Sequence, residues 1–202
     1  HVYLQKTNPI HVVQNGTYVT SELTVNNAAV TADVKIKNNG KFKGSIEVVQ
    51  TILDNKNKQV AISSENVLAP EFYQIINYSS KLRVENPLLW DLDSPNLYQL
   101  ITEIKKEGNV IDTYKTSFGI RTIKFDPENG FFLNGKHVKL KGTNNHQDHA
   151  GIGTALPDEI QYYRIGKVKE MGSNAYRCSH HPPTPELLEA CDKLGMLVID
   201  ET

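Results

Sequence analysis

The hydrophobic period of this chain changes near residue 120, and no single sheet or helical array accommodates both halves. Upstream the alternation is two: Val19, Ser21, Leu23 and Val25, then Val30, Ala32, Val34 and Ile36, then Ile46 and Val48, and later Tyr98, Leu100, Thr102 and Ile104. Period two describes strands with one dry face. Between them stand Asn26-Asn27, Asn38-Asn39-Gly40, Asp54 to Lys58 and Glu107-Gly108-Asn109, whose side chains tolerate a left-handed backbone or bond to their own main chain. About seven short strands at this spacing predict an antiparallel sandwich over residues 1–118.

Downstream the pattern becomes strand, helix, strand, helix, strand. Asn134-Gly135 is a tight-turn signal, and His137 to Lys141 reads as the first strand of a new sheet. Residues 157–171 read as a helix, with Pro157 in the first turn and Ile160, Tyr163, Val168 and Met171 assigned to its apolar side; Gly172 ends it. After Asn174 to Arg177 as a second strand, Thr184 caps a helix opened by Pro185 and ended by Gly195. That helix carries Leu187, Leu188, Cys191 and Leu194 at helical spacing. Met196 to Asp200 is a third strand. Apolar strands alternating with helices predict a parallel sheet over residues 119–202, joined to the sandwich at Phe118-Gly119-Ile120-Arg121. Three such strands and two helices take about 65 residues, where a closed eightfold barrel needs about 250. The chain therefore reads as a fragment of a longer polypeptide. Its exposed barrel edge is a site where another copy could pair, giving a homo-oligomer.

Charge excludes several partners. Lys+Arg 22 against Asp+Glu 23 leaves a net charge of −1, which supplies no pull toward nucleic acid or anionic lipid. No apolar run nears the roughly 18 residues of a membrane span, and the first residues, His1 to Lys6, lack the shape of a secretion signal. Cys178 and Cys191 are too few for a disulfide framework and read as small buried apolar groups.

Polar side chains concentrate after each strand of the parallel sheet, where barrels carry their active sites. The first group is Thr143 to His149, the second Arg177 to Pro183, the third Asp200-Glu201. Imidazoles, amides and carboxylates in such density suit a ligand rich in hydroxyls. A metal site shared by His146, His149, His180 and His181 is the competing reading, weakened because adjacent histidines normally point apart. No Gly-x-Ser-x-Gly elbow supplies a nucleophilic serine, and Gly151-Ile152-Gly153 is no phosphate loop. Neither a cofactor nor a metal is expected. Trp90 reads as a packing anchor at the sandwich edge, with stacking on a sugar as the alternative.

Taken in order, these motifs resemble glycoside hydrolase family 2, the β-galactosidase, β-glucuronidase and β-mannosidase group. Pro87-Leu88-Leu89-Trp90 with Ser94 to Tyr98 is similar to the end of that family's immunoglobulin-like domain, and Phe118 to Arg121 to its seam with the catalytic TIM barrel. Phe132 to Lys136, Gly142 to His146, Asn174 to His180 and Cys191 to Glu201 are similar to the barrel's opening. The resemblance implies an immunoglobulin-like sandwich followed by an incomplete (β/α)8 barrel. It also implies a retaining β-glycosidase, β-galactosidase-like, that acts on terminal β-glycosidic bonds through two glutamates on later barrel strands outside this chain. It further implies that Asn144, His146, Arg177 and His180 bind the carbohydrate substrate, with Asp148 beside them. Glu201 precedes the family's acid/base position and is not that residue. Two positions depart from the family: Asn145 replaces a basic residue, and Gln147 a glutamate. The alternative is a non-catalytic carbohydrate-binding or spacer module whose ligand would sit on the sandwich near Trp90.

Overall fold

The computed structural model describes residues 2 and 4–201; His1, Tyr3 and Thr202 lie outside the described residues, and with them the first and third positions of the leader reading. Its contacts divide the chain into two compact units. One comprises His1–Pro87 and Tyr98–Phe118, the other Leu88–Leu97 and Gly119–Thr202.

The first unit is an antiparallel sandwich. Strands β1 (Ile10–Leu23), β2 (Asn27–Asn38) and β5 (Ile75–Glu85) form one sheet, and β4 (Gln59–Leu68), β3 (Ser45–Leu53), β6 (Tyr98–Lys106) and β7 (Asn109–Phe118) the other. In β2 and β6 the alternation read in the sequence is the alternation of burial: Ala28, Val30, Ala32, Val34 and Ile36 of β2 are all buried, as are Tyr98, Leu100, Thr102 and Ile104 of β6, whereas Val19, Ser21 and Leu23 of β1 are only half-buried and Val25 lies beyond that strand in solvent. Asp54 to Lys58 lies between β3 and β4, and the other named turn clusters straddle strand ends, with Asn27, Asn38 and Asn109 as terminal strand residues. Two polar groups are wholly enclosed and fully used. Asn38 donates to the carbonyls of Phe42 and Pro70 at 3.0 and 2.8 Å while its Oδ1 accepts from Gly40 N. Gln50 donates to Thr102 Oγ1 and accepts from Ser80 Oγ, which ties the two sheets through a satisfied network.

The second unit opens with a small antiparallel sheet, β8 (Ile123–Asp126), β9 (Gly130–Leu133) and β10 (Lys136–His137), turned at Asn134 and Gly135, both at positive φ. A parallel sheet follows, ordered β11 (Gly142–Asn145), β12 (Ala175–Cys178) and β13 (Leu197–Ile199), with helices α1 (Asp158–Glu170) and α2 (Pro185–Leu194) as crossovers. Alternation assigns the two faces. Tyr176, Cys178 and Val198 pack with Ile165, Leu187, Ala190, Cys191 and Met196 under the helices, and Ala175 and Leu197 pack with Trp90, Phe131 and Leu133 on the other side.

Three expectations change. The first parallel strand is Gly142–Asn145 rather than His137 to Lys141, because only 142–145 pair with β12. Helix α1 turns a different face inward: Gln161 and Ile165 are buried with Val168 partly so, whereas Tyr163 and Met171 stand in solvent. Trp90 is a packing anchor, but of the second unit. Its Nε1 donates to Asp192 O at 2.7 Å, its amide to Ile120 O at 2.9 Å, and its carbonyl accepts from Asn134 Nδ2 at 3.0 Å. The Arg121 guanidinium covers its ring at 4.7 Å, and a Cβ on Gly119 would meet its side chain at 2.8 Å. The residues Leu88–Leu97 thus leave the sandwich's sequence to pack in the unit that follows.

Candidate active site

At the C-terminal ends of β11, β12 and β13 the polar groups converge on one carboxylate. Arg177 lies on β12 in register with Asn144 of β11 and Ile199 of β13. Glu201 lies two residues past Ile199, the last residue of β13, and its carboxylate reaches Arg177. The Arg177 guanidinium forms an ion pair with Glu201 Oε1 and donates to Asn144 Oδ1 at 3.3 Å and Ser179 Oγ at 3.5 Å. The other oxygen of Glu201 lies 2.8 Å from His180 Nδ1. A carboxylate only accepts, so Nδ1 carries the proton and donates, leaving Nε2 to bond elsewhere. The His146 ring stands edge-on to His180, with centroids 5.6 Å apart and planes at 76°. A cavity of about 180 Å³ opens on this face, lined by Leu140, Gly142, Thr143, Asn144, Ala175, Arg177 and Ile199.

Four of the five sequence-predicted site residues, Asn144, His146, Arg177 and His180, therefore meet in one cluster. Asp148 does not: it is exposed on the following loop, and among the described residues no hydrogen bond or ion pair joins it to the others. Glu201 orders the cluster although the resemblance gives it no binding role; its place in the polar group that follows the third strand is the sequence signal. The histidines separate as adjacent residues do: His181 Nδ1 turns to Ser179 O at 3.1 Å while His180 takes Glu201. Among the described residues no group of three or more His, Cys, Asp or Glu side chains is arranged to hold a metal ion. The binding-module alternative loses its ring, because Trp90 is 1% exposed and both its edge and its face are occupied. Among the described residues no helix is long and apolar enough to cross a membrane.

An antiparallel sandwich followed by parallel strands with a hydrogen-bonding cluster at their C-terminal ends is the organisation of an accessory β-domain joined to the opening of a barrel. The chain belongs to glycosyl hydrolases family 2: residues 10–121 match that family's model, and residues 126–202 match the model of its TIM barrel domain. It is 36% identical over 202 residues to the β-galactosidase BoGH2A of Bacteroides ovatus, covering all of this chain and 24% of that protein. To a β-glucuronidase of Formosa agariphila it is 31% identical, covering 98% of this chain and 21% of the relative. The crystal structure of a family 2 member from Bacteroides cellulosilyticus superposes with a TM-score of 0.93 at 40% identity, over 97% of this chain and 25% of that one. The chain thus spans about a quarter of the length of the relatives it matches.

Proposed function

We propose that this chain forms the immunoglobulin-like domain and the first three barrel strands of a retaining β-glycosidase, β-galactosidase-like, that cleaves terminal β-glycosidic bonds. The observation that carries this reading is the Arg177–Glu201–His180 network at the C-terminal edge of three adjacent parallel strands. In it, Arg177 and His180 are held at fixed orientation by one carboxylate, and Asn144 and His146 complete a wall of donors and acceptors. Such a wall suits the hydroxyls of a pyranose better than an apolar or highly charged ligand. The role assigned to these residues is positioning of the sugar rather than proton transfer; Asp148 belongs to the rim of the same subsite. Both catalytic glutamates are assigned to later strands, in the larger part of the polypeptide that the relatives possess. The same reading includes association of two copies through an edge of the parallel sheet, β13 being one of its two edge strands.

The test is hydrolysis of chromogenic β-galactoside, β-glucuronide and β-mannoside by the 202-residue chain and by the longer polypeptide that carries it, with masses of both from sedimentation. Cleavage of the β-galactoside by the longer polypeptide alone is the expected result. Turnover by the 202-residue chain would overturn the placement of the glutamates, and silence of both would remove the glycosidase reading. A monomeric mass for the 202-residue chain would remove the pairing of edges.

A further inference from the structure

The loop that carries His146 is gripped from below. We propose that Arg164, on the second turn of α1, is the positioning residue of the candidate sugar subsite. Its Nη1 donates to Gln147 O at 3.0 Å and its Nη2 to His146 O, so one guanidinium holds two successive carbonyls. Among the described residues these are the hydrogen bonds that reach the backbone of residues 146 and 147. The strand hands over to the loop one residue earlier, where Asn145 O accepts from Ser179 N at 3.0 Å. Between that anchor and the turn that His149 makes with Gly153, the path of the chain is set by the Arg164 fork.

The consequence is a relay of geometry. Fixing the His146 carbonyl fixes its Cα, the point from which its ring reaches His180 edge-on. His180 is held in turn by Glu201, and Glu201 by Arg177. The two histidines come from different loops, so their mutual placement depends on each loop being held separately: one by Glu201, the other by Arg164. A planar fork suits this task, because its two parallel donors define both a distance and an orientation. A lysine offers one point charge on a flexible stem and holds neither. Water can solvate both carbonyls once the fork is removed, since this loop is exposed, so losing Arg164 displaces the loop without unfolding the unit.

This inference rests on the glycosidase reading for its purpose but not for its test. In the 202-residue chain, imidazole nitrogen and carbon chemical shifts of His146 and His180 are compared among the native sequence, Arg164→Gln, Arg164→Lys and Arg164→Gly with added guanidinium. The expected result has four parts. Arg164→Gln moves the His146 resonances and abolishes the His146–His180 ring contact. Arg164→Lys fails to restore it, guanidinium restores it in Arg164→Gly, and the unfolding midpoint hardly changes. Unchanged His146 resonances in a folded Arg164→Gln would overturn the proposal, as would full restoration by lysine; if Arg164→Gln fails to fold, the lysine variant and guanidinium rescue decide. In the longer polypeptide the same substitution is expected to lower kcat/KM on the cleaved glycoside about tenfold to a hundredfold. Moved resonances with no hydrolysis by the native polypeptide would sink the functional reading and leave the positioning role standing. Hydrolysis with unmoved resonances would do the reverse.

Discussion

At the scale of single residues, the second unit buries two side-chain polar atoms that find no partner among the described residues, Gln161 Oε1 and the Tyr176 hydroxyl. Tyr176 is 1% exposed on the helix-facing side of β12, and among the described residues its hydroxyl has no hydrogen-bond partner. Burial pushes that hydroxyl up to about 12, against the pull of the nearby Arg164 charge. The Cys191 thiol, packed in the same cluster, is likewise pushed up to about 12 by burial. A group whose pKa is higher folded than unfolded binds its proton more tightly in the folded state. Its contribution is complete below the unfolded value and is lost as pH rises through the folded one. For Tyr176 that window runs from 10 to about 12, and for Cys191 from 9 to about 12, so both predict alkaline loss of stability. Tyr176→Phe removes an unpaired buried hydroxyl, and the expected gain is about 1 kcal/mol in urea unfolding at neutral pH. It should also flatten the fall in stability above pH 10. A loss of stability on making this substitution would show that the hydroxyl is partnered after all.

At the scale of elements, what the sequence disclosed depended on whether polarity and burial agreed. The strand β2 was legible because its alternating Ala28 to Ile36 side chains have one dry face. The face of α1 was not, because the buried stripe begins with a polar residue, Gln161, while two apolar ones, Tyr163 and Met171, stand on the wet side. The pairing strand Gly142–Asn145 is polar throughout and looked like a loop, whereas Val138 and Leu140 just before it imitate a strand. Helix α2, by contrast, matched its end signals: Thr184 accepts from Leu187 N, Pro185 opens the helix and Gly195 ends it at φ 72°, although Leu188 of the expected apolar set is exposed. Of the expected site residues, His146 and His180 follow strands, whereas Asn144 and Arg177 lie on β11 and β12 themselves. Glu201 is legible as a member of the third polar group; Arg164 is not, since a helix arginine becomes a neighbour of the His146 loop only through the crossover. Gly195 gives this scale its own test. A Cβ there would come within 2.2 Å of Leu92 O, and Lys169 Nζ bonds the carbonyls of Leu92, Leu194 and Gly195 around the same point. Gly195→Ala adds a left-handed backbone penalty to a clash with main chain, and the expected loss is about 2 kcal/mol or more in urea unfolding. A loss below a few tenths would mean that Leu88–Leu97 moves aside without cost.

At the scale of the molecule, the order of the chain and the order of its packing differ. Residues Leu88–Leu97 run between β5 and β6 of the sandwich, yet they belong to the unit that holds the parallel strands. Trp90 is the reason: it shares a buried cluster with Phe131, Leu133, Ala175 and Leu197, and it is bonded at its ring nitrogen, its amide and its carbonyl. The floor of the candidate site therefore rests on a tryptophan supplied from within the sandwich's sequence. Deleting a fully buried Trp ring costs about 3–5 kcal/mol through lost transfer energy and the cavity left behind. That loss falls on the second unit, because the described partners of the side chain lie there. In Trp90→Ala, amide exchange in β12 and β13 is expected to accelerate on the order of a hundredfold or more, while exchange in β2 and β3 stays within a few-fold of native. Trp90→Phe keeps part of the ring's volume and loses the Nε1 bond to Asp192, so it should fall between the two. Equal acceleration in both units would mean that they unfold as one cooperative body, and the tryptophan would then anchor the whole molecule rather than the sheet beneath the site.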